Sequence, residues 1–139
     1  MDTERFITAQ NPIIDDALLE LGAGRKQSRW MWFIFPQLKA LGRSAMAQHY
    51  GLEGLQDARD WMAHTVLSAR LIDCTQALFK HPSKSIESIM GSPDDLKLRS
   101  CMTLLKRADP VQPLFGQVIE IFYRNEPDPQ TLALLEHVG

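Results

Sequence analysis

Apolar residues along most of the chain recur at the spacing of α-helices. From Val66 to Lys80 they are separated by four, three and four positions, which places them on one face of a helix. Pro82 follows this pattern, as expected just beyond the end of a helix. The segment after Ser92 contains a second apolar stripe of the same kind. The two stripes consist of Leu67, Leu71, Cys74 and Leu78, and of Leu98, Cys101, Met102 and Leu105.

At three places a residue that commonly caps helices is followed by proline, and each pair predicts a helix start. The pairs are Asn11-Pro12, Ser92-Pro93 and Asp128-Pro129. The first of these helices should stop at Gly22-Ala23-Gly24, and the last should continue to Gly139. The segment 114–123 is apolar nearly all round, so we expect it to be the central buried helix. Shorter helices are expected at residues 3–9, 44–50, 55–63 and 85–90.

The pattern predicts helices without a sheet. No stretch alternates between apolar and polar residues for long enough to indicate a strand. The chain has 139 residues, the size of about one domain, and no repeat or long linker divides it. We therefore predict an all-α fold, a single compact multihelical domain over residues 1–139. It should contain about eight or nine helices, several of them short.

The segment 25–37 stands apart, because three cations precede six consecutive large apolar residues. The apolar run extends from Trp30 to Phe35, and Pro36 disfavours helical geometry at Phe35, so we predict a short helix that ends in an extended turn. One interpretation is that the aromatic residues fill the core. The other is that one tryptophan face stays open to stack on a planar ligand, with the cations near its phosphate. The three cations are Arg25, Lys26 and Arg29.

The helix predicted after Ser92 has a polar face opposite its apolar stripe. One interpretation is a solvated surface, on which Asp95 pairs with Arg99 four residues later. The other is a contact for phosphate or ribose beside the helix N-terminus. A similar choice exists at Leu41-Gly42-Arg43-Ser44, where Ser44 can cap the next helix or the turn can present backbone amides to an anion. The polar face carries Leu96, Ser100, Thr103 and Arg107.

Composition and charge narrow the classes of function. The net charge is −2, so no overall basic field favours a nucleic acid duplex as partner. No apolar run is long enough to span a membrane, and the first residues lack the pattern of a signal peptide, so we expect a cytoplasmic protein. Cys74 and Cys101 are predicted to be buried, reduced thiols. The four histidines show no metal-ligand spacing, and no metal or cofactor is expected.

Three motifs resemble a known family, catalogued as domain of unknown function 1810. The motifs are KQSRWMWFIFPQ at residues 26–37, LGRSAMAQHYG at residues 41–51 and GSPDDLKLRSCMTLL at residues 91–105. The resemblance covers nearly the whole chain and departs at Thr65, where we would expect proline. It implies a multihelical single domain in a bacterial cytosolic protein, without an established activity. Some members carry a calpastatin label, which we regard as a naming error, because this chain does not look like a disordered protease inhibitor.

The family is also similar to the NADAR group, in helical organisation and in short motifs such as Leu41-Gly42-Arg43. The NADAR group is named for NAD and ADP-ribose, and its known members include N-glycosidases of phosphorylated nucleotide-like compounds. This resemblance implies a nucleotide-like ligand, with N-glycosidic bond cleavage as the reaction.

Two hypotheses of function result. The first is a protein that binds a nucleotide-like or ADP-ribose-like small molecule and, if it is an enzyme, hydrolyses it. Such cleavage needs a carboxylate near the sugar, and we predict Asp95 for this catalytic role ahead of Glu20 and Asp94. The alternative is a non-catalytic helical protein-interaction module, and in either case we expect a monomer or a weak homodimer. The predicted ligand-binding residues are Lys26, Ser28, Trp30, Trp32, Gln37, Ser44, Lys97, Ser100 and Thr103.

Overall fold

The computed structural model describes the backbone of residues 1–138 and the side chains of residues 1–136. Within these residues the fold is all-α, as predicted, with ten helices against the eight or nine expected. The helices are α1 (Glu4–Gln10), α2 (Ile14–Gly22), α3 (Met31–Ile34), α4 (Ala45–Tyr50), α5 (Leu55–Ala63), α6 (Thr65–Leu78), α7 (Ile86–Met90), α8 (Asp94–Ala108), α9 (Leu114–Phe122) and α10 (Pro129–Val138). None of them is long and apolar enough to cross a membrane.

One of the three predicted helix starts, with Asp128 as its cap, is confirmed. The carboxylate of Asp128 accepts hydrogen bonds from the Thr131 backbone N–H at 2.9 Å and from the Thr131 hydroxyl at 2.7 Å, and α10 begins at Pro129. The expected end of α10 at Gly139 lies outside the described residues.

The other two caps were predicted wrongly. Residues 11–13 form a turn, α2 begins only at Ile14, and no side chain caps it. The Asn11 side chain instead accepts a hydrogen bond from Arg70 of α6 at 2.9 Å. At the second site Pro93 itself occupies the N-cap position of α8, where it has no side-chain donor or acceptor to offer. At Asn11 the side chain that the sequence assigned to a local cap is therefore used in a tertiary contact.

The helix α8 lies at the centre of the fold, because it contacts α5, α7, α9 and α10. Its predicted apolar stripe is fully buried. The prediction that residues 114–123 form the central helix was wrong. α9 buries one face only, and Ile121 on its other face is 47% exposed. A helix at the edge of the bundle lacks neighbours on its outer side, whatever its composition.

Both cysteines are free and buried, as predicted. Burial disfavours the thiolate, and with a smaller contribution from Asp73 it raises the pKa of Cys74 to about 12. Among the described side chains no group of three or more His, Cys, Asp and Glu residues could hold a metal ion.

The core assignment is testable at Leu71 in α6 and Met102 in α8, which are 1% and 0% exposed. We expect Leu71→Ala and Met102→Ala each to lower the free energy of unfolding by about 2–5 kcal/mol, because each leaves a cavity. Leu19→Ala is the control, because Leu19 is 72% exposed, and its effect should stay within about 0.5 kcal/mol. Equilibrium unfolding in urea measures all three variants. A loss at Leu71 or Met102 as small as that of the control would contradict burial.

Candidate functional site

The aromatic segment and the first turns of α8 meet in space. The predicted short helix is α3, and Phe35 after it has the extended backbone expected before proline. The Lys97 ammonium of α8 lies 5.6 Å from the centre of the Trp32 ring. Trp32 and Lys97 together line two neighbouring cavities, which we name the Gln37 cavity and the Asp94 cavity.

The Gln37 cavity has a volume of about 490 Å³ and mixed polar and apolar walls. Trp32 and Leu96 provide apolar surface, and Leu96 is 57% exposed. Lys97, Arg43 and Arg99 provide positive charge. The complete lining is Trp32, Gln37, Leu41, Gly42, Arg43, Ser44, Pro93, Leu96, Lys97, Arg99, Ser100, Asp128, Pro129 and Gln130.

Gln37 is the polar side chain with the least exposure in this lining, since only 3% of the residue is accessible. Its side-chain Nε2 is buried and has no hydrogen-bond partner in the described part of the chain. The backbone around it is held in place, because the Gln37 carbonyl accepts from Leu52 N–H at 2.8 Å and Lys39 N–H donates to the Leu52 carbonyl at 2.8 Å. A buried amide nitrogen without a partner destabilises the fold, typically by about 1–3 kcal/mol.

The Asp94 cavity has a volume of about 400 Å³ and contains a carboxylate between two ammonium groups. Lys26 Nζ lies 2.8 Å from Asp94 Oδ2, and Lys97 Nζ lies 3.5 Å from Asp94 Oδ1. Lys26 is further engaged, because it donates to the Ser28 carbonyl at 2.6 Å and lies 4.8 Å from the centre of the Trp30 ring. Lys97 is therefore the less restrained of the two cations. The lining is Lys26, Arg29, Met31, Trp32, Met46, Asp94 and Lys97.

The positive charge of the two cavities is only partly compensated. Arg29 and Arg43 are exposed, and neither forms an ion pair with a described side chain. Arg99 is oriented by the backbone, since it donates to the carbonyls of Glu126 at 2.8 Å and Pro127 at 3.1 Å. Asp128 is occupied in capping α10. The site therefore presents more positive than negative charge to a ligand.

The N-terminal amides of α8 do not serve this site. The N–H of Asp95 donates to the Gly91 carbonyl at 2.9 Å, and those of Leu96 and Lys97 donate to the Pro93 carbonyl at 3.1 and 3.2 Å. An anion would have to displace these bonds, so the side-chain cations are the available contacts. This arrangement differs from the phosphate contact at a helix N-terminus that the sequence suggested.

Asp95 lies apart from both cavities. It borders a shallow surface depression with Lys84, Glu87 and Arg124, and its Oδ1 is buried there without a hydrogen-bond partner. Arg99, which the sequence suggested as its surface partner, lies instead 3.8 Å from Glu126. Successive residues of a helix point about 100° apart, so two adjacent aspartates can face different cavities. In this structure Asp94 lines the Asp94 cavity and Asp95 does not.

The predicted hydroxyl residues are divided between sites. Ser44 and Ser100 line the Gln37 cavity, although Ser44 also caps α4 through the Ala47 N–H at 3.1 Å and Ser100 donates to the Leu96 carbonyl at 3.2 Å. Thr103 lines a separate cavity, where its hydroxyl donates to the Arg99 carbonyl at 2.8 Å and accepts from Asp128 N–H at 2.9 Å. Thr103 thus belongs to the packing between α8 and α10.

Comparison with known proteins agrees with this architecture. A family model described as "Protein of unknown function (DUF1810)" matches residues 1–135. The chain belongs to the DUF1810 family. The crystal structure of the conserved hypothetical protein Rv1873 from Mycobacterium tuberculosis is similar, with a TM-score of 0.95 and 43% sequence identity over 97% of this chain and 96% of that one. No curated protein is significantly similar to the chain.

In this DUF1810 protein Glu20 organises the loop before α3. Its carboxylate accepts from the N–H of Gln27 at 2.7 Å, from the N–H and hydroxyl of Ser28 at 2.8 and 2.6 Å, and from the Trp30 indole at 3.0 Å. Burial alone would raise the pKa of Glu20, but these hydrogen bonds outweigh it and lower the pKa to about 2. Ser28 and Trp30, which the sequence suggested as ligand contacts, therefore bind Glu20, and Trp30 is fully buried.

The sequence suggested Glu20 only as a less favoured candidate than Asp95 for the catalytic carboxylate. Its partners lie seven to ten residues further along the chain, across the end of α2, so no helical spacing reveals the contact. The sequence suggested a turn at residues 41–44, but the backbone of Gly42 is extended, with φ −135°. A Cβ there would lie 2.7 Å from Ala47 Cβ and 3.5 Å from the Trp32 ring. Glycine therefore allows this loop to pack closely against α4 and beside Trp32.

The role of Glu20 predicts a pH-dependent stability. Because its pKa is about 2 in the folded protein against an ordinary value of 4.5, its contribution is fully present above about pH 4.5 and is lost as the pH falls towards 2. We expect Glu20→Gln to lower the free energy of unfolding near neutral pH by about 1–2 kcal/mol. The variant should also lose this part of the acid dependence, measured by urea unfolding across the acid range.

A matched control separates this effect from a general change in charge. Glu136 is exposed and forms no ion pair with a described side chain, so Glu136→Gln should leave both the stability and its acid dependence close to those of the unmodified protein. An unchanged acid dependence in Glu20→Gln would contradict the assigned role.

Proposed function

We propose that the Gln37 cavity and the adjoining Asp94 cavity bind a nucleotide-like small molecule, one with a flat ring and a phosphate group. The observation that supports this most directly is the combination of groups in one lining: a half-buried indole, a buried amide nitrogen without a partner, and cations in excess. Aromatic surface beside cations is a common way to hold a base and its phosphate. A volume of about 490 Å³ is typical of small-molecule pockets.

Two cations of the lining, Lys97 and Arg43, can bind the phosphate of the ligand. Lys97 stands at the Trp32 ring, at the boundary between the cavities, and Arg43 stands on the loop beside it. A phosphate held by Lys97 and Arg43 leaves the ring of the ligand close to Trp32 and Gln37. Both cations are accessible, and Lys97 has to give up only the longer of the two Asp94 contacts.

The proposal extends to hydrolysis through Asp94, in place of Asp95. In N-glycosidic hydrolysis the carboxylate accepts a proton from water, and the water oxygen forms a bond to the anomeric carbon. The C–N bond breaks, and its electron pair leaves with the ring nitrogen, which takes up a proton from solvent. Asp94 is the carboxylate in the Asp94 cavity, and the Lys26 ammonium, 2.8 Å from its Oδ2, keeps it oriented there when Lys97 binds the phosphate.

A protein-interaction module is the competing function. Such modules usually present an exposed apolar patch. Here the cavity walls combine apolar surface with a buried amide and charged groups, which favours a small polar ligand. Nucleotide binding distinguishes these functions, because a protein-interaction module is not expected to bind nucleotides.

Ligand binding is tested by thermal shift and calorimetry with nucleoside 5′-monophosphates, ADP-ribose and NAD. A ligand at 100 times its dissociation constant should stabilise the protein by about 2.7 kcal/mol. Lys97→Met should weaken binding about tenfold or more, because it removes a charge-assisted phosphate contact. Lys106→Met is the matched control. Lys106 lines the separate cavity that contains Thr103, so this variant should leave ligand binding unchanged. Equal losses in both variants, or no shift with any compound, would contradict the proposal.

Hydrolysis is tested by chromatography of the free base released from a compound that binds. Asp94→Asn should retain binding and lose release of the base, since the amide cannot accept the proton from water. Asp95→Asn is the control and should retain both, because Asp95 borders a different depression. Base release that depends on Asp95 and not on Asp94 would overturn the assignment, and the absence of release in the unmodified protein would leave binding as the function.

A further inference from the structure

We infer that Gln37 is the residue that selects the ligand of the Gln37 cavity, by donating a hydrogen bond from Nε2 to an acceptor atom in the plane of the ligand's ring. This inference rests on the proposed function. It narrows the ligand class to nitrogen heterocycles of the nucleobase type. It excludes sugar phosphates, and aromatic anions without a hydrogen-bond acceptor in the plane of the ring.

Gln10 is a second buried glutamine, and its amide has hydrogen-bond partners. Gln10 is 1% exposed, its Nε2 donates to the Phe33 carbonyl at 2.6 Å, and its Oε1 accepts from Arg70 at 3.2 Å. Gln37 is buried to nearly the same degree, at 3% exposure, but its Nε2 has no hydrogen-bond partner among the described residues. The difference is that Gln37 lines a cavity, so rotation of its side chain towards the cavity lets a ligand supply the missing acceptor.

The backbone of Gln37 is held in position before a ligand arrives. Pro36 restricts the backbone immediately before it and is itself buried. The hydrogen bonds that Leu52 makes with the Gln37 carbonyl and with the Lys39 N–H tie this segment to the chain after α4. A donor on a fixed backbone has only its side-chain torsions to order on binding, which limits the entropy cost.

The neighbouring groups indicate what carries the acceptor. Trp32 lines the same cavity, so a flat ring packed on the indole would bring its edge towards Gln37. Leu96 of α8 adds apolar surface to this lining, and the cations lie on the Arg43 loop and on α8. The lining thus offers contacts for both the ring and the phosphate of the ligand, and we assign Gln37 to the ring.

Stability of the free protein gives the first test. Gln37→Met has a similar length and removes an amide without a partner, so it should leave the melting temperature unchanged or raise it. Gln10→Met removes an amide with both partners and should lower the melting temperature by several degrees. If Gln37→Met lowers it as much as Gln10→Met does, the amide has a structural role and the inference is overturned.

Ligand selectivity gives the second test, with three kinds of probe measured by calorimetry. The 5′-monophosphates of adenosine, inosine and uridine carry ring acceptors, phenyl phosphate has a ring without one, and ribose 5-phosphate has no ring. The unmodified protein should bind at least one nucleotide more tightly than either simpler compound. Gln37→Met should weaken that nucleotide about tenfold, the typical effect of one hydrogen bond in a dry site, and leave phenyl phosphate unchanged.

The outcomes separate the inference from the proposed function. If the unmodified protein binds none of the probes, the proposed function fails and the inference fails with it. If it binds a nucleotide and Gln37→Met binds it equally well, only the inference fails. Gln37→Glu is a second variant of the same shape, in which an acceptor replaces the donor. It should weaken nucleotide binding at least as much as Gln37→Met does, and unchanged binding in both variants would overturn the role of Gln37.

Discussion

The apolar face of α8 is buried by four other helices, and the position of the groups that α8 contributes to the candidate site depends on that burial. Leu98, Cys101, Met102 and Leu105 are fully buried, so the rotation of this helix about its axis is determined by packing. Each large side chain buried this way contributes about 1.5–3 kcal/mol. The residues left on the outer side of the first two turns, chiefly Asp94 and Lys97, are then held against the aromatic segment.

The second constraint is the carboxylate of Glu20, which holds the loop before α3. By accepting four hydrogen bonds it fixes the path of residues 27–30, and with it the buried Trp30. Lys26 lies in this loop and reaches Asp94, so the loop and α8 are joined by an ion pair in which the lysine is largely shielded from solvent. The Asp94 cavity is thus formed by two rigid elements, which is the arrangement that functional sites require.

Gln37 illustrates the relation between stability and function in this fold. The protein retains an unpartnered amide in a buried position, where an apolar side chain of the same length would pack without this cost. Departures from local stability often occur at functional sites. The location of Gln37 in the lining of a cavity with polar and charged walls is consistent with this general pattern.

The sequence by itself determined the helices and much of the core. Periodicity located α6 to within two residues and identified the buried stripes of α6 and α8, because the repeat of 3.6 residues is a local property. It also indicated that the aromatic segment and α8 carry the chemistry of a site. Tertiary structure alone decided which residues of these segments line the two cavities of the site. Trp32 lines them and Trp30 does not, and Asp94 lines the Asp94 cavity while Asp95 does not. Neighbouring residues differ little in sequence terms, and their roles depend on which side of each helix is covered by other elements, here by Glu20 and by the burial of α8.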